Sequence, residues 1–425
     1  MGSNTNVIVI GAGISGLAAA YHLHQEGLKV QVLEASERAG GRIKTDKIDG
    51  FLLDRGFQVL LTAYPEAQRI FNYEQLALKN FYPGALIHFQ GKMYRLADPF
   101  REWIDALKSL NSTISNIGDK FKMLALRNRF TRYDINDIFA IAETDTEHYL
   151  KEWNFSPRII RSFFRPFFGG IFLDPQLSVS NRMFGFCFKM FSEGYAALPE
   201  QGMEALSQQL ADKIPSECIS YNTKVREIKG KTVVLESGEV LEADAILVAT
   251  DQYNAAKLLP FLELPTQSLG VQCMYFSADK SPLKSPYIVL NGNTGGLVNN
   301  LAIPNLIQPN YAPANKNLIS VSIIKKNPLP EDLLIEQVKE ELSDWFGAQV
   351  KDWQHLKTYH IPQALPYKQH LALPHKNDIK TLAPHVYMCG DHTHDPSING
   401  ALRSAFLTAN AISWDLAVGG DKKHK

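Results

Sequence analysis

Four consecutive β-branched residues, Val7-Ile8-Val9-Ile10, open the first apolar run of the chain. Such an unbroken run is expected of a strand covered on both faces in a parallel sheet. Leu17 to Gln25 then reads as a helix closed by Gly27, and Lys29 to Leu33 forms a second strand ending in Glu34. Between strand and helix lies Gly11-Ala12-Gly13-Ile14-Ser15-Gly16. From Asn80 to about Asn181 the pattern changes to long polar-apolar helical stretches, which read as an inserted helical cap. The segments Phe163 to Phe172 and Met183 to Phe191 carry nine phenylalanines. Two readings stay open for them, the core of the cap or the lining of an apolar cavity or membrane-facing mouth, because both use the same residue types. A hairpin-like pattern follows over Tyr221 to Ile228 and Thr232 to Glu236, with a Ser237-Gly238 turn, and the apolar run Ala243 to Ala249 signals a return to the first sheet. Pro260 to Pro374 has short alternating strands, Leu318 to Ile324 among them, and a helix over Pro330 to Phe346; Val386 to Val418 reads as strand, turn and helix.

The glycine turn changes the picture from topology to chemistry. G-x-G-x-x-G between a strand and a helix, with an acidic residue closing the next strand, is a dinucleotide-binding fingerprint. Gly11 makes the tight turn, Gly13 lets backbone approach a pyrophosphate, and Gly16 allows close packing of helix on strand. The helix start at Ile14 and Ser15 offers unpaired N–H groups to phosphate charge. Glu34 can accept hydrogen bonds from ribose hydroxyls, and its charge repels a 2′-phosphate, which argues against NADP.

Length and composition set the outer limits. At 425 residues the chain predicts two or three domains. The 44 basic and 44 acidic side chains balance, so no net field draws nucleic acid or a polyanionic substrate. Cys187, Cys218, Cys273 and Cys389 are scattered, implying neither disulfides nor a zinc site and fitting a reducing cytosol. The His392-x-His394 pair has no third ligand at matching spacing, so no metal is expected. No run approaches the ~20 apolar residues of a transmembrane helix. A cytoplasmic protein is expected, with peripheral membrane contact left open, and the basic residues Lys422 to Lys425 read as a flexible tail.

Taken together, Gly11-x-Gly13-x-x-Gly16, Glu34, Gly40-Gly41-Arg42, the Asp54 to Val59 stretch, and Gly390-Asp391 with Asn399-Gly400-Ala401 resemble the flavin-containing amine oxidase and phytoene desaturase superfamily. The resemblance spans nearly the whole chain. It implies an α/β fold, a Rossmann-type FAD-binding domain interleaved with an α+β substrate domain of mixed sheet and helical cap. The FAD-binding pieces would be residues 1–79, 182–259 and 375–420, the substrate pieces 80–181 and 260–374, and the tail 421–425. It also implies noncovalent FAD held by Gly11, Gly13, Ile14, Ser15, Gly16, Glu34 and Ala35. Gly41 and Arg42 would approach the pyrophosphate, Gly56, Phe57 and Gln58 the flavin, and Val225 the adenine. Gly390 and Asp391 would lie near the phosphate or ribityl chain, and Ser397, Asn399 and Ala401 at the flavin carbonyl edge.

Ser397 stands where amine oxidases present an aromatic ring beside the substrate amine, and the stretches around Arg165 and from Gly91 to Pro99 resemble desaturase-like and protoporphyrinogen-oxidase-like members more closely. The expected activity is hydride transfer from a C–H of an apolar small molecule to flavin N5, with dioxygen or a quinone as acceptor. An amine oxidase releasing hydrogen peroxide, a flavin-binding sensor or carrier without turnover, and an isomerase using reduced FAD remain as alternatives. Arg165, His360 and Tyr367 are candidates for a catalytic acid or base, each equally readable as a structural residue.

Overall fold

The first apolar run becomes the centre of a five-stranded parallel sheet. In this computed structural model, which describes residues 6–96, 114–324, 329–368, 370–372 and 382–421, the strand order is Ile219–Ser220, Lys29–Leu33, Asn6–Ile10, Ala245–Val248, Val386–Met388. All four pairings are parallel. Alternation explains why Val7 to Ile10 must be apolar throughout. Val7 and Val9 enter the main core against the helix Ile14–Gln25, whereas Ile8 and Ile10 face a separate cluster containing Val233, Leu235 and Ala255. A single polar substitution on either side would strand a polar group in hydrocarbon. The second cluster is roofed by the antiparallel strands Val225–Lys229, Thr232–Leu235 and Val240–Glu242.

A seven-stranded mixed sheet lies beyond it, in the order Gln354–Pro366, Ser268–Ala278, Asn317–Ile323, Asn300–Ala302, Ile288–Asn291, Ala85–Phe89, Lys92–Leu96. One pair, Ile288–Asn291 with Ala85–Phe89, is parallel and the others are antiparallel. One face is covered by the amphipathic helix Glu331–Phe346, which buries Leu334, Val338 and Leu342. The helical expectation from Asn80 onward is corrected here. Residues 85–96 alternate polar and apolar around the Gln90-Gly91 turn, where both residues have positive φ, and form a hairpin on this sheet. Among the described residues of this segment the first helix is Ile117–Arg132, where Asn116 and Asp119 cap each other's backbone.

The helix Asn181–Glu193, assigned from sequence to a dinucleotide-binding piece, packs into the aromatic cluster of the cap. Phe184 meets Phe168 at a ring separation of 4.7 Å and Phe130 at 6.1 Å. All four cysteines are free thiols. Among the described residues no helix is long and apolar enough to cross a membrane. Asp98 and Pro99, the residues before Asn6, and Lys422 to Lys425 lie outside the described residues.

Asp54, at the end of the strand Phe51–Asp54, ties that strand and the segment before the helix Glu204–Ala211 to the seven-stranded sheet. Its carboxylate accepts from the Thr45 hydroxyl at 2.5 Å, the Met203 N–H at 2.9 Å and the Tyr311 hydroxyl at 2.8 Å, while its carbonyl accepts from Tyr275 on the strand Ser268–Ala278 at 2.8 Å. Burial outweighs these bonds and pushes its carboxyl up to about 6, with the Glu204 charge adding to the rise. Between its ordinary value and about 6 the unfolded chain releases the proton while the fold retains it. The Asp54 contribution to stability therefore declines as pH rises through that window and is lowest above it. Asp54→Asn is expected to gain about 2 kcal/mol relative to the wild type between about pH 4.5 and about pH 7.5, read by denaturant unfolding at the two pH values.

Candidate active site

The glycine turn is constrained at Gly11 and Gly16. Gly11 has φ +106° and donates its N–H to the Leu33 carbonyl at 2.8 Å. A Cβ on Gly16 would sit 1.9 Å from the Gly11 carbonyl oxygen, so the first helix can rest on the turn only with glycine there. Gly41 closes the other side, where a Cβ would stand 3.1 Å from Gly13 Cα. The helix Ile14–Gln25 starts at Gly13 with no side-chain cap and no acidic residue in its first turn. Its first N–H groups are thus left for a ligand, on a positive dipole end.

Glu34 is fixed beside that turn. One carboxylate oxygen accepts from Ala12 N–H at 2.7 Å, the other from the backbone N–H and hydroxyl of Ser36 at 2.9 and 2.6 Å. Lys44 donates to the same Ser36 hydroxyl at 2.8 Å, and burial pulls its ammonium below the ordinary lysine range. Arg42 reaches across the molecule: one nitrogen donates to the Ala364 carbonyl at 2.8 Å and another to Asp391 at 2.7 Å. Burial opposes ionisation of Asp391, but the Arg42 charge prevails and holds its carboxyl well below the usual carboxylate range. Gln58 donates to the carbonyls of Arg42 and Arg55, both at 2.9 Å, and so sets the path of the Gly56-Phe57 backbone.

These groups line one end of a continuous cavity of about 940 Å³. Gly11, Gly13, Ile14, Ser15, Glu34, Ala35, Gly41, Arg42, Val225, Gly390 and Asp391 border this end; Gly56, Phe57, Gln58, Ser397 and Ala401 border its continuation. The charged liners, including Lys44, Arg55, Lys224, Arg226, Asp251 and Lys257, all come from the dinucleotide side. The rest of the lining, from residues 57–96, 163–196, 271–322 and 361–365 and from 396–401, holds no charged side chain among the described residues. Phe163, Phe167, Met183, Cys187 and Phe191 make one wall, Ala85, Ile288, Asn300 and Ser322 another, and Tyr64 stands between.

Several sequence candidates fall elsewhere. Gly16 packs against the turn rather than bordering the cavity. Asn399 also lies off the lining; its side-chain oxygen accepts from the Glu66 N–H at 3.1 Å and holds the helix Pro65–Ile70 against the last helix. Ser397, by contrast, accepts from Gly400 N–H at 3.0 Å and donates to Asp395. None of the three acid-base candidates reaches the cavity. Arg165 pairs with Glu147 at 2.7 Å, His360 meets Gln272 at 3.0 Å on the edge strand, and Tyr367 continues that strand through its backbone. His394 pairs with Asp395 at 2.8 Å, and the His392 ring packs over Gly390. Among the described residues no three His, Cys, Asp or Glu side chains converge on a metal position. Of the nine phenylalanines, Phe163, Phe167 and Phe191 line the cavity and the other six are core.

Residues 14–413 match the sequence profile described as flavin containing amine oxidoreductase. The chain belongs to that family. Its cofactor is FAD. Protoporphyrinogen oxidase 2 of Arabidopsis thaliana is 29% identical over 170 residues, which is 40% of this chain and 32% of that protein. This chain thus aligns with about a third of that relative's length. Among solved structures, cyclohexylamine oxidase from Brevibacterium oxydans superposes with a TM-score of 0.71 at 19% identity, covering 97% of this chain and 99% of its own. Putrescine oxidase bound to putrescine gives 0.71 at 18%, covering 96% and 98%. These likenesses establish the fold.

Sequence reasoning missed Tyr64, Cys187, Asn300 and Ser322 as cavity residues. For Ser322 the signal was present, because a polar residue alternates with Val321 and Ile323 on a strand recognised from its pattern. Arg42→Ala leaves the buried Asp391 carboxylate without its cationic partner. It is expected to destabilise the protein by about 2–4 kcal/mol, with Arg42→Ala/Asp391→Asn recovering part of the loss, measured by thermal or denaturant unfolding.

Proposed function

We propose that this family member takes a hydride from a C–H bond of a neutral, largely apolar small molecule, with noncovalent FAD as hydride acceptor at N5 and dioxygen or a quinone receiving the electrons in turn. The supporting observation is the segregation of charge along the cavity: every charged liner lies at the dinucleotide end, and the remainder is hydrocarbon with a few neutral polar groups. An ion buried in that remainder would lose its hydration without a partner, at a cost of several kcal/mol. Protoporphyrinogen, an anionic tetrapyrrole, and putrescine, a dication, both carry such charges.

When bound, FAD supplies the two-electron chemistry. The chain supplies the rest. Glu34 uses three of its roughly four acceptor sites internally, and the remaining capacity suits a ribose hydroxyl. The N–H groups at Ile14 and Ser15, with Arg42, suit the pyrophosphate, Val225 the adenine, and Asp391 the ribityl chain. Gly56, Phe57 and Gln58 would hold the flavin ring, and the last helix, which begins at Ile398 beside Ser397, would offer its N–H dipoles to negative charge on the reduced flavin. Cys187 is the cysteine of the lining. Burial, aided by the Asp395 charge, pushes its thiol far up, so it is a poor nucleophile for tethering a flavin.

A second reading, an amine oxidase releasing hydrogen peroxide, is supported by the family itself. It lacks a carboxylate in the uncharged part of the lining to hold an ammonium. Anaerobic bleaching of the bound flavin separates the two. Neutral apolar substrates are expected to bleach it and amines or amino acids are not; reduction by amines with peroxide release would reverse the assignment. Bound flavin that neither class reduces would favour a carrier, sensor or isomerase. Glu34→Ala is expected to weaken FAD retention by about tenfold, a loss of roughly 1.4 kcal/mol, and unchanged flavin content after extensive dialysis would remove the ribose contact.

A further inference from the structure

On the sheet side, the uncharged part of the cavity is walled by hydrocarbon from Ala85, Val271 and Ile288, with one interruption. Asn300 and Ser322 face each other in register on the antiparallel strands Asn300–Ala302 and Asn317–Ile323. Residues directly opposite in an antiparallel pair project to the same face. Both side chains accordingly line the cavity, and both are nearly buried, at 4% and 3% exposure.

Their hydrogen-bonding capacity is only partly used. The Asn300 oxygen accepts from Asn299 at 2.9 Å, and the Asn300 amide nitrogen donates to the Ser322 oxygen at 3.4 Å, a long bond. That arrangement leaves the second amide hydrogen, the serine hydroxyl hydrogen and a lone pair on the amide oxygen without an assigned partner. The neighbouring Asn299 clips the strand to the cap through the Pro166 carbonyl at 3.0 Å, so Asn300 is not needed for that link. Beside the pair, Gly170 presents no side chain; a Cβ there would come 3.4 Å from the Asn300 oxygen and 2.7 Å from the Asn299 nitrogen. A bulkier residue would cover the amide.

We propose that Asn300 and Ser322 anchor one neutral hydrogen-bonding group, a hydroxyl or a carbonyl, borne on the apolar skeleton of the substrate. Neither residue ionises, so the pair can match an oxygen function but cannot compensate a carboxylate or an ammonium. Without such a partner the pair leaves unspent polar groups facing hydrocarbon, which is costly. The inference rests on reading this cavity as the substrate site, and it narrows the substrate from any apolar molecule to one with an oxygen function remote from charge.

The test uses one carbon skeleton with different substituents: tetralin, 2-tetralol, 2-tetralone, 2-aminotetralin and tetralin-2-carboxylate, bound to the FAD-loaded protein and followed by calorimetry. The wild type should hold the alcohol and ketone roughly three- to tenfold more tightly than tetralin, and both charged probes more weakly than the alcohol and ketone. Ser322→Ala, which deletes one hydroxyl, and Asn300→Leu should each erase most of that preference while leaving tetralin affinity within about twofold. FAD content and thermal unfolding serve as folding controls. No preference in the wild type, no binding of any probe, or a preference that survives both substitutions would overturn the anchor. Calorimetry needs no turnover. An oxygen preference in a protein whose flavin no neutral substrate reduces would overturn the redox reading alone, whereas flavin reduction without the preference would overturn the anchor alone.

Discussion

The Arg42 guanidinium joins three parts of the chain that sequence keeps far apart. It sits just after the second strand, donates to Asp391 beyond the last strand of the parallel sheet, and donates to the Ala364 carbonyl on the edge strand of the substrate-side sheet. Both bonds are charge-assisted, and the Asp391 carboxylate is buried, so that bond is costly to break. The glycine turn depends on the same region, because Gly41 must stay against Gly13 for the cradle to keep its shape. Through its two bonds Arg42 links the region of the glycine turn to the edge strand Gln354–Pro366 of the seven-stranded sheet.

On the proposed function a continuous cavity poses an electrostatic problem, since a phosphate site needs charge and an apolar substrate site must exclude it. The lining divides by origin. The charged liners, Arg42 and Lys44 among them, come from the segments around the glycine turn and the parallel sheet, while the cap and the seven-stranded sheet contribute phenylalanines, aliphatic residues and neutral polar groups. Charge balance over the whole chain is therefore no sign of electrostatic neutrality at the site. It reflects a polar demand met locally, with the surface charges compensating one another elsewhere.

What could be read from sequence was whatever a backbone constraint imposes on a short stretch. Gly16 is legible because a Cβ there would sit 1.9 Å from a carbonyl oxygen, Gly11 because its φ is +106°, and Val7 to Ile10 because both faces are covered. The hairpin over residues 85–96 was hidden by its five-residue strands, which are too short for a period of two to stand out against neighbouring helices. The side-chain role of Asn399 was hidden for a different reason. Its oxygen accepts from the N–H of Glu66, 333 residues away in sequence, a partner that no local pattern announces. The Asn300–Ser322 pair likewise exists only through strand register.

The phenylalanines show how one composition serves as core and as wall. Phe163 and Phe167 are one helical turn apart and stack at 5.4 Å facing the cavity; Phe164 and Phe168, each the next residue, stack at 6.1 Å facing the core. The opposing helix repeats the division, with Met183, Cys187 and Phe191 on the cavity side and Phe184 and Phe188 on the core side. A step of one residue turns a helix by about 100°, so adjacent apolar stripes separate a dry core from a ligand space. The segment Ile160–Phe164 is a π-helical turn just ahead of Pro166, which has no N–H to return to the Ser162 carbonyl. This widened turn joins Pro157–Ile159 to Arg165–Phe172 without a break, keeping both stripes in phase across the proline. Both stripes are equally apolar, so neither hydrophobicity nor period distinguishes them. The distinction lies in what stands opposite: Phe184 and Phe188 fill the space beside one stripe, and the sheet carrying Asn300 and Ser322 leaves space beside the other.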